Sequence, residues 1–398
     1  MSEQILKGCT ILDLSRYGPG RYCTMLLADF GADVITIETP RLDASLPAFL
    51  TDDTSPRYLA FNRNKRSIAI NLKEKKGREI FYRLIKRADV MLEGYRPGVT
   101  KRIEIDYKTL KKINPRLIYC SISGFGQDGP YSKRSGHDLN YLGISGILHM
   151  TGHEEGPPSF IGAQVGDLIG GFSQASIAIL MALLEKKKSG KGQYIDLAIV
   201  DGLVHALWLQ GTEYLLTGRS PQRGDSIFTG LSSGYNIYET LDNKFLTLGC
   251  YELRFWEMLC KLFGRDDFAE HQNASAEKRR EVLSFFKNEF KKKTREEWLN
   301  ILNKAYIPCG PVNDLSETFS DPQVIHRKMV IEGNHPLLGN VRQIGIPMKF
   351  SRTPGRIKSL APRYGEHTIE ILKDLGFSDK AIKEFGDRKI IESDTRLE

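Results

Sequence analysis

The 398-residue chain has few cysteines, no long uninterrupted apolar run and no excess of acidic charge. Its six cysteines, at positions 9, 23, 120, 250, 260 and 309, are scattered without any Cys-x-x-Cys spacing. That excludes a disulfide framework or a cysteine zinc site as the organising device and points to reduced thiols in a cytoplasm. The longest apolar stretch, from about Ala175 to Leu184, is too short to span a bilayer and reads as a buried helix. Met1 to Lys7 is polar and no apolar segment follows, unlike a signal peptide. His149 and His153 have helical metal-ligand spacing but sit in Gly/Pro-rich sequence without a third ligand, so no metal is expected there. There is no internal repeat or low-complexity tract. The chain is expected to be soluble and cytoplasmic, with no membrane partner.

A hydrophobic content of 40% against 27% charged residues is globular composition, with enough chain for two domains or one large one. Fifty-seven basic and 49 acidic residues leave a formal charge of +8. Such a balance suits nucleic acid, an acidic surface or a polyanionic small molecule. The lysine clusters at Lys73–Lys76, Lys186–Lys188 and Lys291–Lys293 are separate and carry no interleaved aromatics. They read as solvated helix surface, which leaves no nucleic-acid face.

The first third alternates strand and helix. Thr10–Leu14, Asp33–Ile37, Ser67–Leu72, Asp89–Leu92 and Leu117–Ile122 read as strands, with helical segments through Met25–Ala28 and Ile80–Ile85 between them. Repeated βα units predict an α/β fold with a parallel sheet covered by helices. Ligands of such folds sit at the carboxyl ends of the strands. The turns Gly18-Pro19-Gly20 and Gly94-Tyr95-Arg96-Pro97-Gly98 fall at that edge. The first is not a dinucleotide fingerprint, because Cys23 holds the third glycine position.

From Asp167 a long helix is expected, closed by Lys186-Lys187-Lys188-Ser189-Gly190 with cations at its negative end and a glycine stop. Tyr194–Val200 is a further strand candidate. Tyr235–Tyr238 and Lys244–Leu248 flank Asp242-Asn243 as a hairpin, and amphipathic helices fill about 275–305. The expected domains are a large α/β domain beginning with 1–200, a linker at 201–224, a small α+β domain at 225–325, and a returning segment at 326–398.

Two stretches carry chemistry: Gly136-His137-Asp138-Leu139-Asn140-Tyr141 and Val165-Gly166-Asp167-Leu168-Ile169-Gly170-Gly171. Each sets an ionisable side chain beside glycine, where backbone N–H groups are bare and a substrate can approach. His137 and Asp167 could work as two proton-transfer groups, or Asp167 could act alone as a nucleophile. The plainer readings are a helix N-cap for Asp167, a turn residue for His137, a surface glutamate for Glu252 and helix-end charges for Lys73 and Arg102.

Several segments resemble the family III CoA-transferase superfamily. They include Leu27-Ala28-Asp29-Phe30-Gly31-Ala32-Asp33-Val34, Asn64-Lys65-Arg66-Ser67, Glu93-Gly94-Tyr95-Arg96-Pro97-Gly98-Val99, Gly166-Asp167, Ser189-Gly190-Lys191-Gly192-Gln193, Ile307-Pro308-Cys309-Gly310-Pro311-Val312 and Gly365-Glu366-His367-Thr368. The match runs in order through nearly the whole chain. It implies a Rossmann-like large domain, a smaller domain on long linkers, and two chains interlocked as a dimer, of like or unlike chains.

Gly18-Pro19-Gly20, the Gly136–Tyr141 motif and Gly249-Cys250-Tyr251-Glu252-Leu253-Arg254-Phe255 are similar to the 2-methylacyl-CoA racemase branch. The resemblance implies an acyl-CoA thioester substrate and epimerisation at its α-carbon, with Asp167 and His137 as acid and base and Glu252 supporting the histidine. The alternative it implies is CoA transfer to a carboxylic acid acceptor through an anhydride and a thioester on Asp167. It places coenzyme A, as part of the substrate and the sole cofactor, against Lys73, Gly94, Tyr95 and Arg102. Two positions depart from the racemase pattern: Leu253 stands where proline is usual after the glutamate, and Thr39 where an arginine helps hold coenzyme A.

Overall fold

The computed structural model describes residues 4–16, 18–41, 52–272, 276–335 and 337–394. Met1–Glu3, at the start of the polar N-terminal stretch, and residue 275 of the expected helical region lie outside them. Six strands pair in parallel: β1 (Thr10–Leu14), β2 (Asp33–Glu38), β3 (Lys65–Ile70), β4 (Val90–Glu93), β5 (Ile118–Ser123) and β6 (Tyr194–Ala198). The sheet order is β3-β2-β1-β4-β5-β6, and a two-residue strand, Ile391–Glu392, adds antiparallel to the β3 edge. The order reverses between β1 and β4, which pair Leu12 with Met91 and Leu14 with Glu93. This is the doubly wound arrangement, whose crevice opens outside the carboxyl ends of those two strands.

The strands read as continuous β-branched and aliphatic runs because both faces of the sheet are covered. Ile11, Leu12, Val34, Ile68, Val90, Met91 and Leu92 are all fully buried. One face packs on Ile80, Phe81, Leu84 and Ile85 of the helix Lys75–Ile85. The returning tail completes that layer with Ile371 and Leu372 of Thr368–Asp374 and Ile382 and Phe385 of Asp379–Asp387.

The chain forms two compact units. One comprises 1–144, 163–206 and 323–398; the other comprises 145–162 and 207–322. The second unit holds the antiparallel sheet of β7 (Tyr235–Glu239), β8 (Phe245–Gly249) and β9 (Cys309–Pro311). Its core is aromatic, with Trp256, Phe268, Phe286 and Phe290 among its most buried side chains. The hairpin turn uses Asn243 at φ 56°, a conformation asparagine tolerates better than most residues.

Four local expectations change. The stretch read as a linker, 201–224, carries most of one helix, Ile199–Ala206, and all of another, Trp208–Thr217. The long segment from Asp167 starts as a π-helix, Asp167–Ser173, before continuing as the α-helix Gln174–Ser189. By length and composition alone Asp167–Ser189 could cross a bilayer, yet it is half a core helix: Ala175, Ile179 and Ala182 are buried, while Ile177, Leu180, Met181 and Leu184 are exposed. The expected wholly buried helix therefore has one face on the sheet and one apolar face at the surface of its unit. Lys186 also departs from the solvated-lysine reading. It is 7% exposed and its Nζ lies 2.7 Å from Asp89 Oδ1, so its stem packs in the core and its head pairs at the edge.

Candidate active site

The strand β1 ends in a buried polar anchor. Asp13 accepts from the Ser15 backbone N–H at 2.9 Å, from Thr24 Oγ1 at 2.5 Å and from Lys65 Nζ at 3.0 Å. Burial opposes the charge, but Lys65, Arg21 and the Ser15 and Thr24 hydroxyls together outweigh it and hold the Asp13 carboxyl below its usual range. The helix Gly18–Asp29 starts directly above this anchor. Gly20 is needed there because a Cβ would lie 2.4 Å from that of Ser15. Pro19 fits the first turn, where a missing N–H costs nothing.

Beside this helix start opens a cavity of about 380 Å³, lined in part by Arg16, Pro19, Tyr22, Arg57, Phe61 and Asp167. Asp167 is half-buried at the first residue of the π-helix. Its carboxyl is raised to about 6, by burial first and by the neighbouring Asp138 carboxylate next, while His137 acts in the opposite sense. The two residues singled out from sequence are thus within electrostatic reach of each other. His137 is exposed and stands just before the helix Asp138–Ser145. Its backbone N–H donates to Asn140 Oδ1 at 3.0 Å, and its carbonyl accepts from the Asn140 N–H at 2.8 Å.

Asp138 is the residue that sequence reasoning passed over. Its Oδ1 accepts the backbone N–H of Asp167 at 2.8 Å, tying the two motifs together. The expectation that the N–H groups at Asp167 are bare is therefore corrected, since that of Asp167 is bonded and that of Leu168 donates to the Gln164 carbonyl at 3.0 Å. The glycines serve close packing. A Cβ on Gly166 would approach Asp138 Oδ1 to 2.9 Å, one on Gly170 would meet the Ile199 carbonyl oxygen at 2.2 Å, and one on Gly171 would meet Pro19 at 2.8 Å. An acidic residue at the first helical position, right after the histidine, was the available signal for Asp138.

The residues expected to meet coenzyme A lie along the carboxyl edge of the same sheet. Gly94 and Tyr95 follow β4, and Tyr95 donates its backbone N–H to Glu93 Oε2 at 2.6 Å. Lys73 follows β3 and is exposed, and Arg102 is exposed at the end of the short helix Val99–Arg102. Arg16 was not foreseen. Its guanidinium lies 5.5 Å from the centre of the Tyr95 ring and 3.5 Å from Thr39 Oγ1. Glu252 belongs to the second unit, exposed as the N-cap of Leu253–Leu262 with no side-chain capping bond. His149 Nε2 pairs with Gln222 Oε1 at 3.1 Å.

The sequence pattern of CoA-transferase family III matches residues 6–368. The chain belongs to that family. Among its relatives, human succinyl-CoA:glutarate CoA-transferase is 33% identical over 389 residues, covering 95% of this chain and 88% of that protein. Human alpha-methylacyl-CoA racemase is also 33% identical, over 399 residues and 98% of both chains. A CAIB/BAIF family protein from Brucella suis has the same fold, with a TM-score of 0.81 at 31% identity over 94% of this chain and all of that one. Racemases and CoA-transferases of the family are thus equally similar to this chain.

Proposed function

We propose that this member of CoA-transferase family III epimerises the α-carbon of a 2-methylacyl-CoA thioester. The observation that carries the reading is an Asp167 carboxyl that lines the cavity and is raised to about 6, with His137 within electrostatic reach of it. Racemisation needs two groups, each able to hold or release a proton near neutral pH. One takes the α-proton, the C–H electron pair moves onto the thioester carbonyl, and the other returns a proton to the opposite face of the enolate. The enolate oxygen needs donors, and the Asp167 N–H is occupied. In the first turn of the helix Asp138–Ser145 the Asn140 and Tyr141 N–H groups donate to the His137 carbonyl, so those of Asp138 and Leu139 would be the source. Lys73, Gly94, Tyr95 and Arg102 would hold coenzyme A, and Arg16 would bring to residue 39 the positive charge that Thr39 lacks. A second chain in a dimer would cover Leu180, Met181 and Leu184.

The second reading is CoA transfer, favoured by the equal similarity to the succinyl-CoA:glutarate enzyme. There Asp167 attacks the thioester carbonyl and releases CoA thiolate to give a mixed anhydride. The thiolate then attacks the Asp167 carbonyl, expelling the donor acid as its carboxylate and leaving an aspartyl thioester, and an acceptor carboxylate runs the two steps in reverse to take the CoA and free Asp167. One experiment separates the two. A single-enantiomer 2-methylacyl-CoA is incubated with the enzyme in deuterated water without an acceptor acid. We expect α-deuteration and loss of optical rotation, both abolished in His137→Ala and Asp167→Asn. Acceptor-dependent CoA movement with no α-exchange, and a hydroxylamine-sensitive adduct on Asp167, would replace the racemase reading with the transferase one.

A further inference from the structure

A second cavity shares no lining residue with the one at Asp167. It has a volume of about 450 Å³ and is walled by the strand Val330–His335, the segment after Gly339–Ile344 and the tail at 355–360. Its floor is aliphatic, made by Ile331, Ile346, Ile357 and Leu360, and above it stand Lys328, Lys349 and Lys358. Among the described lining residues Glu332 is the single acid. The three lysines come from separate stretches, each held in place. Lys328 sits at φ 53°, and a Cβ on Gly345 would lie 2.0 Å from the Lys328 carbonyl oxygen, so the two backbones are in close contact. Lys358 donates its backbone N–H to Asn64 Oδ1 at 2.7 Å, and Ser359 does so at 3.1 Å. Lys349 Nζ donates to the Ile346 carbonyl oxygen. Burial first, then Arg327 and Lys328, push the Lys349 ammonium below its usual range, so Glu332 does not balance the cations around it. Like charges gathered on a fixed backbone cost free energy unless an anion joins them.

We propose that this cavity is a binding site for a nucleoside phosphate, its phosphate held among Lys328, Lys349 and Lys358 and its base laid on the aliphatic floor. A bare inorganic anion would match the ammonium groups and leave the isoleucine floor in water. An alkyl chain would cover the floor and leave the ammonium groups unmatched. Asn334, also in the lining, carries both donor and acceptor atoms, which the edge of a base can use and hydrocarbon cannot. Lysine suits a phosphate because its ammonium acts as a point charge with three donors. The proposal draws nothing from the chemistry at Asp167 and stands for a racemase and a transferase alike.

The test titrates adenosine monophosphate into the full-length protein, followed by calorimetry and by the methyl NMR signals of labelled isoleucine. The signals of Ile331, Ile346 and Ile357, assigned through Ile331→Val, Ile346→Val and Ile357→Val, should shift as the nucleotide is added. Adenosine and inorganic phosphate should each bind at least about tenfold more weakly than the nucleotide. Lys349→Gln should weaken the nucleotide by roughly tenfold, Lys349→Arg should keep most of its affinity, and Arg102→Gln should leave it unchanged. Coenzyme A as a second titrant tells the source. The same methyl shifts would show that the site accepts a nucleotide carried by coenzyme A, and their absence would reserve it for a free nucleotide. Either result supports the proposal. Unmoved isoleucine signals in the wild-type protein on adding adenosine monophosphate would overturn it. Inorganic phosphate binding as tightly as the nucleotide would reduce the site to a surface ion site and overturn it too. So would affinity lost in Arg102→Gln and kept in Lys349→Gln, which would place the nucleotide at the sheet edge expected for coenzyme A. If Lys349→Gln fails to fold, the wild-type methyl shifts and the comparison with phosphate still decide.

Discussion

Replacing Asp138 by asparagine should lower the pKa of Asp167 while leaving its place in the fold intact. The asparagine keeps an oxygen to accept the Asp167 N–H now bonded at 2.8 Å. What it removes is a negative charge that helps lift the Asp167 carboxyl from 3.8 to about 6. Burial is the largest contribution to that rise, Asp138 the next, and His137 opposes both. The Asp138 share is therefore smaller than that of burial, and its removal should move the Asp167 midpoint down without returning it to 3.8. His137→Gln removes the opposing influence, so in that variant the midpoint should move up. The assay is a ¹³C titration of proteins labelled at aspartate Cγ, with the Asp167 signal identified through Asp167→Asn. Two variants of adjacent residues should thus displace one midpoint in opposite directions. A midpoint that stays put or rises in Asp138→Asn would refute the electrostatic pairing, because folding and burial are otherwise retained. In the racemase assay, the acid limb of the exchange rate should follow the Asp138→Asn midpoint downward.

Glu93, 2% exposed beneath the turn at Gly94, is raised by burial from 4.5 to about 7 despite bonds from Ser121 Oγ and the Tyr95 N–H. Its folded form holds the proton more tightly than the unfolded chain, so its contribution is fully present below about pH 4.5 and is lost as pH rises through 7. That amounts to about 3 kcal/mol, and urea unfolding at pH 5 and 7.5 should show the loss in the wild-type protein but not in Glu93→Gln. Lys65→Met leaves the Asp13 carboxylate, 0% exposed, without its 3.0 Å ammonium partner. The urea midpoint should fall by the equivalent of roughly 3–5 kcal/mol, and a fall under about 1 kcal/mol would show that Arg21 and the hydroxyls suffice. Gly170→Ala sets a Cβ 2.2 Å from the Ile199 carbonyl oxygen, so thermal stability should drop by roughly 1–3 kcal/mol together with α-exchange; unchanged values for both would mean the π-helix yields freely.

The parallel sheet was legible because its strands are buried on both faces. Runs such as Ile11-Leu12-Asp13-Leu14 and Val34-Ile35-Thr36-Ile37 declare themselves by composition, and the glycine and lysine signals at 186–190 mark a helix end locally. The pieces that escaped are those whose reason lies far away in sequence. Ile391–Glu392 is a strand only because Ala69 and Ile70 offer a free edge some 320 residues earlier, and a two-residue strand has no period to read. The antiparallel pair Val330–His335 and Gly339–Ile344 alternates too weakly in burial to stand out. Lys186 looked like surface because three lysines in a row usually are, and only the position of Asp89 at the start of β4 draws one of them inward.

The site was legible in its residue types and misread in its physics. Glycine beside Asp167 looked like bared backbone for an anion, but a Cβ at Gly166, Gly170 or Gly171 would collide with Asp138, Ile199 or Pro19, so these glycines serve close packing. That distinction alters the chemistry. A helix start with bare N–H groups would pull the Asp167 carboxyl down, toward the ionised form a nucleophile needs. Here the first N–H is taken by a second carboxylate, and burial with like charge pushes the carboxyl up to about 6. A carboxyl in that range can both accept and return a proton at neutral pH, the property that two-base racemisation asks of it and that anhydride formation does not. Burial is the larger cause of that rise, and Asp138, a residue that carries no catalytic signature of its own in the sequence, adds to it.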